Sequence, residues 1–118
     1  MFINFSNHPS EHWNKRQREA SLVYGELVDL SFPQIAPSAT TEELQALAQE
    51  WVQKILKLRS EHDTTVHIMG EMTFTFMVVT ELKAMGIKCV ASTTKRKVNY
   101  NDDGTKSSEF QFVKFREY

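Results

Sequence analysis

Val66-His67-Ile68-Met69-Gly70-Glu71-Met72-Thr73-Phe74-Thr75 sets an apolar run against a glycine, a carboxylate and two threonines, and an apolar segment follows as far as Ala84-Met85-Gly86. The pattern predicts a buried strand over Thr64 to Met69, a tight turn at Gly70, and a helix from Glu71 to Met85 closed by Gly86. Thr73 to Val79 is β-rich and would also suit a strand. A strand there would leave only Gly70-Glu71-Met72 as a connection, whereas a helix continues a strand-helix alternation found elsewhere in the chain. In an open α/β sheet such a junction lies at the carboxyl edge of the strands, where helix N-termini present free N–H groups and ligands gather. The helix is apolar on most sides, so it should be buried in the domain or against a second copy.

Working upstream, Thr40 and Glu43 form a capping box, and Leu44, Leu47, Ala48, Trp51, Ile55 and Leu58 recur at helical spacing to about Arg59. Pro33 and Pro37 force an extended loop before it, and Glu26 to Phe32 reads as a strand. Ser10 is the expected cap of a first helix with Trp13, Ala20 and Val23 or Tyr24 on its inner side, ended by Gly25. Phe2 to Phe5 is the first strand. Downstream, Ile87 to Ala91 makes a fourth strand. Asp103-Gly104 between the β-prone Lys95 to Tyr100 and Glu109 to Phe115 signals a hairpin. The expectation is one α/β domain over 1–118: a Rossmann-like, mainly parallel sheet with helices on both faces and a C-terminal β-hairpin.

The 118 residues suffice for one core. The net charge of -1 argues against coating duplex nucleic acid through bulk electrostatics, so any polyanion must be met locally. No leader-like or membrane-spanning stretch is found, so a cytoplasmic protein without membrane partners is expected. The single cysteine, Cys89, excludes intrachain disulfides and reads as inert core.

Three strand ends would share the carboxyl rim: Ser6-Asn7-His8, Gly70-Glu71-Met72-Thr73, and Ser92-Thr93-Thr94-Lys95-Arg96. No G-x-G-x-x-G or Walker pattern surrounds Gly70, which sets aside a dinucleotide oxidoreductase and a P-loop NTPase. Glu71, in a first helical turn, would repel a phosphate seated there and suits a hydroxyl or base edge better, or is simply a favourable helix start. His8 is placed to donate to a phosphate or shuttle a proton, though a packing role serves equally. Ser92 to Arg96 combine hydroxyls and two cations suited to a phosphate; the competing reading is a solvated edge strand. Arg116 and Tyr118 would close the same rim or a dimer contact. His12, His62 and His67 lack ligand spacing and read as structural; no metal and no cofactor is expected. Phe110, Phe112 and Phe115 read as core.

Asn4-Phe5-Ser6-Asn7-His8-Pro9-Ser10, Met69 to Thr75, Ser92 to Arg96 and Phe115-Arg116-Glu117-Tyr118 together resemble a family of small CRISPR-associated proteins, over nearly the whole chain. These are similar to the CARF-like, Rossmann-like sensor domains of type III CRISPR systems. The resemblance implies antiviral defence, a homodimer, and cyclic oligoadenylate bound at its interface. Some small members are ring nucleases and others only sequester the ring. It then implies Lys95 or Arg96 as charge stabilisers and His8 or Glu71 as base for metal-independent attack by a ribose 2′-hydroxyl. A protein-docking subunit is the competing class.

Overall fold

A computed structural model describes residues 1–60 and 62–118. Five strands, β1 (Phe2–Ser6), β2 (Leu27–Ser31), β3 (Thr65–Met69), β4 (Lys88–Tyr100) and β5 (Lys106–Glu117), form one sheet in the order β2-β1-β3-β4-β5. The first four run parallel and β5 returns antiparallel to β4. Helix α1 (Lys15–Leu22), preceded by a 3-10 turn at Ser10–His12, links β1 to β2. Helix α2 (Thr41–Leu58) links β2 to β3, and α3 (Met72–Ala84) links β3 to β4. The expected fold class, with helices on both faces and a terminal hairpin, is the one observed.

Alternation along the strands divides the core. Ile3, Phe5, Val66, Ile68 and Cys89 meet Ala48, Val52 and Ile55 of α2 and Phe74, Val78 and Leu82 of α3. On the opposite face Phe2 and Val90 pack with Trp13, Tyr24 and Phe115. Thr40 Oγ1 accepts the Glu43 N–H at 3.1 Å, as its spacing requires for an N-cap. Gly86, at φ 77°, ends α3: its N–H reaches Lys83 O at 3.0 Å and Ile87 N–H reaches Leu82 O at 3.0 Å, a Schellman closure that needs the left-handed glycine.

Two local expectations are corrected. Ser10 does not cap α1; Asn14 does, its Oδ1 accepting the Gln17 N–H at 2.9 Å. The Ser10 hydroxyl is committed to Asp29 Oδ2 at 2.7 Å, a carboxylate acceptor that outcompetes a helix end. The buried side of α1 is Gln17 and Ser21, while Val23 is 84% exposed. The fourth strand does not stop at Ala91 either. It continues through Ser92 to Arg96 as one 13-residue β4, because after His67↔Val90 it keeps β5 as partner even though β3 ends. The hairpin therefore projects beyond the sheet body as an arm, and the molecule measures 51 × 37 × 21 Å.

Candidate functional site

Adjacent parallel strands β1 and β3 send their connections to opposite faces, β1 to α1 and β3 to α3. Their carboxyl ends therefore flank a topological switch, where the diverging loops leave a crevice. Asn7 N–H donates to Met69 O across it at 3.4 Å. Asn7 and Glu71 face one cavity of about 350 Å³ with Phe32, Pro33, Gln34 and Ile35. A larger cavity, about 630 Å³, opens at the amino edge beside Thr65 and Lys88, away from the helix N-termini that favour anions.

Glu71 is the N-cap of α3 rather than a first-turn residue. Its carboxylate accepts Thr73 N–H at 3.1 Å, Phe74 N–H at 2.8 Å and the Thr73 hydroxyl at 2.7 and 2.8 Å. These bonds, the Phe74 amide foremost, hold its pKa below the usual glutamate value. With its oxygens so occupied, the carboxylate has few lone pairs left to take a proton or hold a ligand. Gly70 has no positive φ; its lack of a side chain serves packing. A Cβ there would stand 2.3 Å from Phe32 Cζ. Met72 is exposed and Thr73 is turned to Glu71.

Ser6 is buried, whereas Asn7 and His8 are exposed. The carbonyl of His8 is the fixed part of that residue, accepting Asn4 Nδ2 at 3.1 Å and Trp13 Nε1 at 3.1 Å. Ser92 sits at rim level with Oγ 2.8 Å from Met69 Sδ. Thr93 Oγ1 donates to Lys114 O at 3.0 Å. Thr94, Lys95 and Arg96 are exposed and continue up the arm, Lys95 about 10 Å beyond Ser92 at strand spacing. Within one chain the structure thus gathers Ser6, Asn7, Gly70, Glu71 and Ser92, and carries Lys95 and Arg96 away. Tyr118 folds back over the rim, its hydroxyl donating to Ile68 O at 2.5 Å.

The least expected feature is a polar row across the α1 face of the sheet. Register places Asn4 beside both Asp29 and His67. Asn4 Nδ2 donates to Asp29 Oδ1 at 2.8 Å, and Asn4 Oδ1 lies 2.9 Å from His67 Nδ1 and accepts Ser6 Oγ at 2.7 Å. His67 Nε2 lies 3.2 Å from Ser92 Oγ. His67 is 2% exposed, and burial first, then the nearby His8, pushes it down to about 4. It is neutral at pH 7. Local spacing gives His67 no site role and does not single out Asp29; what joins them is strand register, which sets a polar residue opposite Asn4 on both neighbouring strands, His67 buried and Asp29 at the exposed edge.

Among the described residues no three His, Cys, Asp or Glu side chains converge as metal ligands, and no helix is long and apolar enough to cross a membrane. Residues 1–116 match a family model described as the uncharacterized protein MJ1673 family. No curated protein and no solved structure matches the chain.

Proposed function

We propose, for a chain that belongs to the uncharacterized protein MJ1673 family and takes no activity from that description, that it binds cyclic oligoadenylate across the twofold axis of a homodimer. The observation that carries this reading is the crevice at the β1/β3 switch. It is the place where open α/β sheets take ligands, and it is lined here by the Asn7 loop and the capped start of α3. Beside it Met69, Met72, Phe76 and Tyr118 form an exposed apolar strip, with Met72 at 81% and Phe76 at 72%, which supports contact with a second copy. A twofold axis there would duplicate Ser6 to His8 and the Gly70 turn around one ring. It would also let the arm of each chain supply Lys95 and Arg96 to the common site, so a near-neutral chain meets a polyanion. A four-membered ring matches that symmetry. In this reading the protein is a cytoplasmic member of type III CRISPR defence, the setting that the sequence resemblance implies.

Capture is favoured over ring opening by a ribose 2′-hydroxyl by one specific observation: the Glu71 oxygens are engaged by the amides at the helix start and are not free to take that proton. Ring opening through a 2′-hydroxyl would then lean on His8, with Lys95 and Arg96 as charge stabilisers. Calorimetry with cyclic tetraadenylate should give one ring per dimer. Incubation in EDTA with ring in excess, followed by denaturation, should return intact ring from a sink and linear product with a 2′,3′-cyclic phosphate from a nuclease. Absence of binding to any ring size would overturn the proposal and leave a protein-docking role.

A further inference from the structure

The row Asp29–Asn4–His67–Ser92 has a direction fixed by its hydrogen bonds. Asn4 Nδ2 faces two pure acceptors, Asp29 Oδ1 at 2.8 Å and His8 O at 3.1 Å, so the amide cannot be turned around. Its Oδ1 therefore faces His67 Nδ1, and that nitrogen must carry the ring proton. Nε2 is left as a bare lone pair directed at Ser92 Oγ, 3.2 Å away. Ser92 has a single hydroxyl proton and two acceptors in reach, Nε2 and the thioether Sδ of Met69 at 2.8 Å. Imidazole nitrogen is much the stronger acceptor, so the proton points to His67. The ring is further fixed by Trp13 at 5.5 Å and Phe115 at 5.3 Å, both edge-on. A hydroxyl, a base that touches it and a third group that sets the tautomer form the constellation that activates a serine. Unlike His67, Ser92 is only partly buried, and it opens at the carboxyl rim.

We propose that Ser92 is a nucleophile for phosphoesters, with His67 as its base and Asn4, held by Asp29, as the positioning residue. The substrate class follows from Lys95, Arg96 and Lys97, which begin about 10 Å farther along the same arm and favour an ester whose anionic charge extends past the reacting phosphorus. In the step, Ser92 Oγ bonds to phosphorus while its proton passes to His67 Nε2. The bond from phosphorus to the leaving oxygen breaks in line with the attack, on the side away from His67, so that oxygen departs as the anion and takes its proton from water. Water then attacks phosphorus from that open side and gives up a proton to solvent, while the imidazolium returns its proton to Ser92 Oγ as the phosphoryl group leaves. This goes beyond ring binding and does not depend on it, since neither the dimer nor adenine enters the argument.

The test treats the intact chain with a fluorophosphonate probe, which loses fluoride to a reactive serine, and with bis(4-nitrophenyl) phosphate and 4-nitrophenyl acetate as chromogenic esters. Mass spectrometry should place a single adduct on Ser92. Ser92→Ala should remove it, and His67→Gln, checked for an unchanged circular dichroism spectrum, should slow it at least a hundredfold. Nitrophenolate release from the phosphodiester should follow the same order. No adduct on the wild type, or an adduct at equal rate in His67→Gln, overturns the proposal whatever the ring-binding result. Release from the acetate alone overturns the phosphoester assignment.

Discussion

At the scale of single residues the sheet holds a titration that should be visible in its stability. His67 has a folded pKa of about 4 against 6.5 when unfolded, so below 6.5 the unfolded chain binds the proton that the folded chain refuses. Stability is fully present above pH 6.5 and is lost as pH falls toward 4, by about 3 kcal/mol at the limit. Urea midpoints measured between pH 7.5 and 4.5 should show this loss, and His67→Gln should flatten it. A second residue-scale prediction concerns Gly70. The Phe32 ring that its absent Cβ would strike is penned by Phe5 at 5.0 Å and Phe74 at 5.3 Å, so it cannot swing clear. Gly70→Ala should cost about 1–3 kcal/mol as an overpacked site, with part of the loss recovered in combination with Phe32→Leu. The glycine was legible in the sequence as a special position, but its cause was not, since Phe32 lies far away in the chain. The polar row was hidden for a related reason. Asn4, Asp29 and His67 become neighbours only through strand register, which no local pattern encodes.

At the scale of elements, what local chemistry dictates was readable and what tertiary partners dictate was not. The capping of α2 by Thr40 and the closure of α3 at Gly86 follow from residues a few positions apart. The start of α1 depended instead on whether Asp29 claims Ser10, and the length of β4 on whether β5 accompanies it past the rim. Glu71 shows how one side chain can be read two ways. As an N-cap, its loss in Glu71→Ala should cost about 1 kcal/mol in chemical denaturation, and Glu71→Asp, a good capping residue, should restore most of it. Its lowered pKa means that this contribution is present above the ordinary glutamate pKa and fades as pH falls through the folded value. If Glu71 also touches the ring, Glu71→Asp should keep stability and still lose affinity, which calorimetry separates from a pure cap.

At the scale of the whole molecule, the arm and the apolar strip bear on the same question. A single chain places Lys95 and Arg96 well beyond the crevice, so their part in binding a ring seated there requires that the ring extend along the arm or that a second chain bring its own arm to it. The strip of Met69, Met72, Phe76 and Tyr118 lies beside the crevice, where a partner would have to sit for the latter. Light scattering at micromolar concentration should therefore return twice the chain mass. Phe76→Glu should halve it without changing the circular dichroism spectrum, because the residue is exposed and desolvating a charge at an apolar contact is costly. In the dimer, Lys95→Ala and Arg96→Ala should each weaken cyclic tetraadenylate about tenfold, as expected for lost charge-assisted contacts, and more steeply at low salt. In Phe76→Glu the two arms can no longer share one ring. If affinity there falls to a weak one-ring-per-chain value that is nearly insensitive to Lys95→Ala, the arms act across the twofold. If a monomer binds as tightly as the parent and still depends on Lys95, the ring follows the arm of a single chain, and the twofold reading of the site must be given up.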